Sequence, residues 1–308
     1  MYINKEQILT FLNRNHIRYT INGKMVDNYV VASMFNPIQN GFYFFNHTDI
    51  PAGIKKSLIL TNNEELLSDQ NTILLIDKDP QRIFYQIIEN YFKDKSNGII
   101  KKTAIIHPEA QIGKNVQIDD YCIIGKCKIG DHTIIKSHCS IENNSIIGDS
   151  CIIENQSIIG ARGMAWVWDE KQEHKIVLPQ IGGVIIEDNV ILGANTIVVR
   201  GSLNENTSIG KNTIIAPGCR IGHGTKIGNF VHFANNIATG GNTVIGDYSF
   251  IGSSATFRPK VKLHPNTIVA AGAVVVKNTS RPGRTLMGVP ASEFETKQQP
   301  SGMPKPKK

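Results

Sequence analysis

Between residues 100 and 278 an aliphatic side chain recurs every six positions. The series runs Ile100, Ile106, Ile112, Ile118, Ile124, slips by one, and resumes at Ile129, Ile135, Ile141, Ile147, Ile153, Ile159. After an interruption at 161–183 it continues as Ile185, Ile191, Ile197, Leu203, Ile209, Ile215, Ile221, Ile227, Phe233, then Thr239, its one polar member. It ends with Ile245, Ile251, Phe257, Leu263, Val269 and Val275. A period of six fits neither the 3.6 of a helix nor the 2.0 of an amphipathic strand. It fits a solenoid in which each hexad forms one side of a triangular coil, with the aliphatic residue pointing to the axis. Three hexads close one coil, so 100–285 accommodates about eight coils stacked through parallel β pairing. The Gly that often follows the aliphatic residue, as in Ile209-Gly210 and Ile227-Gly228, is expected to permit the corner turn.

Residues 1–99 have a different pattern and predict a small α/β domain. NKEQILTFLNRN at 4–15 places Ile8, Leu9 and Leu12 on one side of a short helix. SLIL at 57–60 and TILLI at 72–76 read as strands, and Asp79-Pro80 opens a helix bearing Ile83, Phe84, Ile87, Ile88, Tyr91 and Phe92. The aromatic run GFYFFNHTDIP at 41–51 is either core or a base-stacking platform. At the other end, residues 286–308 carry Pro, Gln and Lys and read as a loose tail.

Composition sharpens this picture. Of the 308 residues 46 are Ile, 30 of them between 101 and 251, which argues against a helical bundle. No apolar run reaches the 18 or so residues of a membrane span, and the charged N-terminus is unlike a signal peptide, so a cytoplasmic protein is expected. Five Cys without a CxxC pair suggest reduced thiols rather than zinc or disulfides. The net charge of +7 comes with no nucleic-acid motif and suits phosphate-bearing small molecules.

A regular solenoid has few special places. The interruption 161–183 holds both Trp of the chain, Trp166 and Trp168, and is expected to pack on a coil, a neighbouring subunit or an acyl chain. The run IGHGTKIGNFVHFANN holds His223 and His232, nine residues and therefore half a coil apart. They project from different sides, so a site using both would lie between subunits. His132 and His138 diverge likewise, and no metal site is expected.

Two family resemblances follow from longer motifs. The whole chain resembles the UDP-3-O-acylglucosamine N-acyltransferases of lipid A synthesis through FYFFNHTD and through IIGARGMAWVWDEKQEHKIVLPQIGGVIIEDNVILGANTIVVRGSL. That resemblance implies a left-handed parallel β-helix, a homotrimer, and a nucleotide-binding N-terminal domain with Tyr43 and Asn46 at the base. It places Trp166, Trp168 and Arg200 at the substrate and the catalytic base at His223. Asp49 stands where that family has a second stacking aromatic, and Ala216-Pro217 where it has Asp and Asn. The C-terminal half is similar to the acetyl-CoA-dependent sugar acetyltransferases through GHGTKIGNFVHFANN, IVAAGAVVVKN and MGVPA. This second resemblance implies His223 as base, His232 near the acyl group, and donor contacts at Ala271, Gly272, Lys277 and Gly288. The acidic residue that commonly follows the base is Gly224 here.

The expected activity is acyl transfer from acyl-CoA or an acyl carrier protein to the amino group of a nucleotide-linked amino sugar, for lipid A-type or surface glycan synthesis. No covalently bound cofactor is expected. A neutral imidazole suits proton removal from the attacking amine, and backbone N–H groups of a Gly-rich turn suit the oxyanion. Arg258, Lys260, Lys262, Lys277, Arg281 and Arg284 are candidates for donor phosphates. Sugar O-acetylation from acetyl-CoA and a non-catalytic scaffold are the competing readings.

Overall fold

A computed structural model describes residues 1–47 and 49–296. The chain forms two compact units, one ending at Asp94 and the other beginning at Lys95.

In the first unit, β1 (Tyr2–Asn4) leads into α1 (Lys5–Arg14). The Asn4 side chain accepts from Gln7 N and the Gln7 side chain from Asn4 N, a reciprocal cap that sets the helix start. Next come β2 (Tyr19–Asn22), β3 (Asn28–Val31), β4 (Gly41–Phe44), β5 (Leu58–Thr61), β6 (Thr72–Ile76) and α2 (Pro80–Phe92). Asp79 caps α2 by accepting from Arg82 N at 3.1 Å, and Pro80 begins the helix without needing an N–H partner. Among the described residues the sheet order is β1-β3-β4-β5-β6-β2, with β3 to β6 parallel and both edges antiparallel. Alternation along β4 and β5 divides the core. Phe42, Leu58 and Leu60 pack with Ile8, Leu12, Ile83 and Ile87 of the helices, while Tyr43, Phe45 and Ile59 pack with Ile54 and Leu66 on the other face. The predicted helices and strands are found, and β1 to β4 are added to them.

The second unit is the predicted solenoid. Among the described residues it has three parallel faces, of nine, eight and ten strands, the third extended by an antiparallel hairpin. Successive coils pair in parallel, for instance Ile215 with Phe233 and Phe233 with Ile251. The inward columns fuse into one core from Val116 to Leu286. Corners adopt left-handed backbone at regular six-residue steps, as at Asn236, Asn242, Tyr248, Ser254, Lys260 and Asn266. Asn tolerates this conformation better than most residues, which explains its frequency here. The Gly after the axial residue has another role than the expected one. Gly210 does not have positive φ, but a Cβ on it would lie 2.6 Å from the carbonyl carbon of Gly228, so it permits the close approach of coils.

Buried Thr, Ser and Cys side chains precede many strands and satisfy the corner backbone. Thr213 Oγ1 donates to Gly228 O at 2.9 Å and accepts from Val231 N at 3.1 Å. Cys122, Cys139, Cys151 and Cys219 occupy the same kind of position, and all five thiols are free and buried. Burial pushes those of Cys127 and Cys151 up to about 11.

Two expectations are corrected. Between 185 and 203 the axial residues are Ile186, Leu192 and Val198, each one position later than expected, while Ile185, Ile191 and Ile197 face outward. Leu203 is 49% exposed, because 200–205 is a second insertion between two faces. Eleven residues separate Val198 from Ile209, one short of two hexads, so the insertion and the phase shift cancelled in the sequence count. The tail reading of 286–308 also fails at its start. Arg284–Gly288 pairs with the strand Ile268–Val269 and returns as Ala291–Glu295. Glu293 and Glu295 both meet Arg284, which ties the hairpin. Residues 297–308 lie outside the described residues.

Candidate functional site

The corners joining the first and second faces carry both insertions. The 161–183 insertion leaves after the strand Ile158–Ala161, and the 200–205 insertion leaves one coil later, after Ile197–Val199. His223 occupies the same corner of the next coil, between the strands Arg220–Ile221 and Lys226–Ile227, and Gly241 the one after that. Arg258, Lys260 and Lys277 continue the edge as exposed cations.

The His223 corner is fixed by the coils on both sides. Thr207 Oγ1 accepts from Gly224 N at 2.9 Å, and His223 O accepts from Asn242 N at 2.7 Å. Thr239, the polar member of the axial column, accepts from Gly222 N at 2.9 Å and bonds Thr225 Oγ1 at 3.3 Å. Gly224 has φ of 63°, and a Cβ there would lie 2.2 Å from Asn242 Oδ1. An acidic side chain following the histidine would have to take left-handed backbone and displace the Asn242 side chain. The half-buried imidazole lies against bare backbone, since a Cβ on Gly241 would be 2.3 Å from its Nε2. Its Nδ1 is 3.0 Å from Ser202 Oγ.

Ser202 belongs to the second insertion. Glu205 folds that loop by accepting from Ser202 N at 2.8 Å and Leu203 N at 3.0 Å. These backbone donors, with the Ser202 hydroxyl, hold the Glu205 carboxyl below the usual carboxylate range. The two insertions are joined: Ile181 N donates to Ser202 O at 3.0 Å and Gly201 N to Gly183 O at 3.0 Å. Buried Gln180 accepts from Gly163 N and donates through Nε2 to Ser202 Oγ at 3.4 Å.

Other predicted residues are placed as follows. Trp166 and Trp168 lie on a hairpin of Trp166–Asp169 with His174–Val177 and stay 51% and 53% exposed. The expected packing of these indoles is absent within the described residues of the chain, apart from Lys175 Nζ at 4.5 Å from the Trp166 ring centroid. Arg200 is not a surface ligand but a buried strut whose Nε donates to Gly160 O at 2.7 Å. His232 faces outward on the third face, stacked on Phe250 with ring centroids 5.3 Å apart. Burial pushes its pKa down, favouring the neutral ring. Ala271 and Gly272 form a corner between the third and first faces, Gly288 lies in the C-terminal hairpin, and Lys277 is exposed on the His223 edge. Of the predicted cations, Arg281 and Arg284 are already paired with Glu295.

Tyr43 cannot stack a base as expected. It is 1% exposed, and its hydroxyl accepts from Ile38 N at 2.8 Å and donates to Ile38 O at 3.1 Å. Asn46 is exposed, and Asp49 lines a hollow of about 390 Å³ with Ser68, Asp69 and Gln70. Among the described residues, no cluster of three or more His, Cys, Asp or Glu is placed to hold a metal, and no helix is long and apolar enough to cross a membrane.

Residues 200–235 and 242–277 match the family described as bacterial transferase hexapeptide (six repeats). The chain carries the hexapeptide repeats of bacterial transferases. Among solved structures it is similar to the UDP-N-acetylglucosamine O-acyltransferase from Moraxella catarrhalis RH4, at 24% identity and a TM-score of 0.58, covering 64% of this chain and 74% of that one. The UDP-N-acetylglucosamine acyltransferase of Francisella novicida aligns at 26% identity and 0.56, covering 63% and 68%. That of Bacteroides fragilis 9343 gives 24% and 0.57, covering 64% and 74%. A comparison with curated proteins finds no match. The fold is therefore a left-handed parallel β-helix preceded in the sequence by a small α/β unit. Both matched repeat blocks lie C-terminal to the 161–183 insertion, and the first contains the His223 corner.

Proposed function

We propose that the protein transfers an acyl group from a thioester donor to the amino group of a nucleotide-linked amino sugar, with His223 as general base. The observation that carries this reading is the His223 corner: a half-buried imidazole held against Gly241 and bonded through Nδ1, leaving Nε2 for a substrate. The hexapeptide-transferase repeats around it support a group-transfer role, and the likeness to the Francisella enzyme supports a nucleotide-linked sugar.

In this mechanism the amine nitrogen attacks the thioester carbonyl carbon as Nε2 takes its proton. Gly240 N already donates to Phe257 O, so the backbone N–H of Gly241, beside the ring, is the donor that suits the developing oxyanion. Collapse re-forms the carbonyl and breaks the C–S bond, and the imidazolium protonates the departing thiolate. Lys260 and Lys277 on the same edge suit the phosphates of acyl-CoA or of an acyl carrier protein. Within the first unit Asn46 remains a candidate base contact. The working form is a homotrimer in which the outward third face, with His232, meets another copy. Lipid A-type or surface glycan synthesis in the cytoplasm is the setting this chemistry fits.

The test supplies UDP-linked amino sugars and their hydroxyl analogues with acyl-CoA and acyl carrier protein, and follows thiol release. His223→Ala should lower kcat by about two orders of magnitude or more with the fold intact. Transfer to the hydroxyl analogue alone would replace N- by O-acylation. An unchanged rate in His223→Ala would remove the base, and no thioester consumption with any acceptor would favour a scaffold.

A further inference from the structure

We propose that Gln180 is a positioning residue for His223, so that the 161–183 insertion sets the place of the imidazole through the Ser202 hydroxyl. The proposal deepens the acyl-transfer reading and rests on it for its kinetic consequence, but the place of the ring can be read without substrate.

Gln180 stands apart within its insertion. It is 3% exposed, whereas every other residue from 161 to 181 is partly or fully exposed. A buried primary amide is costly unless both of its ends are bonded. Here both are, and to different segments. Oε1 accepts from Gly163 N, which closes the base of the excursion, and Nε2 donates to Ser202 Oγ at 3.4 Å. The backbone around the amide is fixed as well. Ile181 N donates to Ser202 O at 3.0 Å, Gly182 N to Gly201 O at 3.1 Å, and Gly201 N to Gly183 O at 3.0 Å. Asn206 Oδ1 accepts from Gly183 N at 3.0 Å. The two insertions are thus tied edge to edge, and Gln180 is the side chain by which the first reaches the hydroxyl of the second.

Ser202 Oγ in turn meets His223 Nδ1 at 3.0 Å. Among the described residues it is the one hydrogen-bond partner of the imidazole, which otherwise lies against Gly241. A ring with a single tether follows it, so the place of Oγ decides where Nε2 points. Of the staggered rotamers open to a serine, the one present faces both Gln180 and His223. Gln180 acts on Oγ as a donor, so the hydroxyl keeps its own hydrogen and one lone pair for His223. The contact therefore serves a bare Nδ1 or an Nδ1–H. The inference concerns where the ring sits, not which nitrogen carries its hydrogen.

The experiment uses the full chain and compares Gln180→Leu, Ser202→Ala and the double variant, each checked for fold by circular dichroism. Leucine is close to glutamine in size and bonds neither Gly163 nor Ser202. Gln180→Leu should lower kcat about 10-fold or more, with the acceptor KM changed by less than about twofold. The double variant should lose no more than Ser202→Ala alone, because both changes cut the same tether. Additive losses, or an unchanged kcat in a folded Gln180→Leu protein, would overturn the proposal. Gln180→Glu carries the test if the leucine variant does not fold. It keeps an acceptor for Gly163 N and brings a negative charge to Ser202, which favours the imidazolium. The acid limb of the pH–kcat profile should then move to higher pH, and an unmoved limb would also overturn the proposal. The remaining readout needs no substrate: the His223 ring resonances, followed by ¹H–¹⁵N NMR, should shift in Gln180→Leu and in Ser202→Ala alike. Unshifted resonances in folded Gln180→Leu would show that the ring does not depend on Gln180. Shifted resonances in a protein that acylates no acceptor would sink the acyl-transfer reading and leave the positioning role standing.

Discussion

A methyl group at position 241 would lie where the His223 ring now rests, 2.3 Å from Nε2. The ring is the free end of a side chain, so it can swing away at modest cost. Losing the Ser202 bond should destabilise the fold by about 1 kcal/mol. Catalytically the same displacement removes the base from its turn. Gly241→Ala should therefore lower kcat at least tenfold while shifting the thermal midpoint by only a few degrees, and a crystal structure should show a new His223 rotamer. An unchanged kcat would mean that the ring's present position is not the working one. His223 was singled out in the sequence by the motif GHGTKIGNFVHFANN and the family resemblance it carries, with a plain surface residue as the alternative. Ser202, Glu205 and Gln180 were not legible. They come from two insertions, only Ser202 bonds the imidazole while Gln180 and Glu205 hold its loop, and nothing in SLNEN announces a histidine partner 21 residues on.

Among the elements, the strands of the solenoid were readable because each hexad needs one buried side chain. Register failed where an insertion happened to complete the arithmetic of six, and the C-terminal hairpin was hidden in a segment too polar to look like a strand. The 166–177 hairpin is the element whose purpose is least explained by its own packing. Trp166 and Trp168 on one side and Val167 and Ile176 on the other are all about half exposed or more, so its apolar surface is unused among the described residues. Its base, by contrast, is tied by Gln180 and by Ile181 N to the Ser202 loop. Replacing 164–179 by a short Gly-Ser link, keeping Gln180, should leave the β-helix intact by circular dichroism and change stability by less than about 1 kcal/mol. The acceptor KM should rise tenfold or more. A variant with wild-type KM would show that the hairpin serves something other than the substrate. Because both Trp lie on it, fluorescence reports this element alone, and the emission should shift to the blue when substrate covers it.

Over the whole solenoid the three faces present different surfaces. Outward positions of the third face run Ile152, Ile191, Ile214, His232, Phe250, one per coil and aligned by parallel pairing. The equivalent run on the second face holds Lys128, Ser208, Lys226 and Lys262 among its members. The period of six could not show this difference, since it reports only which residue points inward. An apolar column next to a stacked His232–Phe250 pair is the surface that suits contact between copies in the proposed trimer. Ile214→Asp, at a position 42% exposed in the single chain, should leave the coil folded but shift light scattering from trimer to monomer. The imidazole gives a second handle. Burial within the single chain already pushes its pKa down, and cover by a neighbouring copy would bury the ring further, so the proposed associated form favours neutral His232 and the open surface binds protons more readily. Assembly should thus be fully stable above the ordinary histidine pKa of about 6.5 and weaken as pH falls through and below it. His232→Gln should remove that acid sensitivity. A trimer that tightens on acidification, or one that survives Ile214→Asp unchanged, would place the contact on another face and leave His232 without a role beside a neighbour's His223.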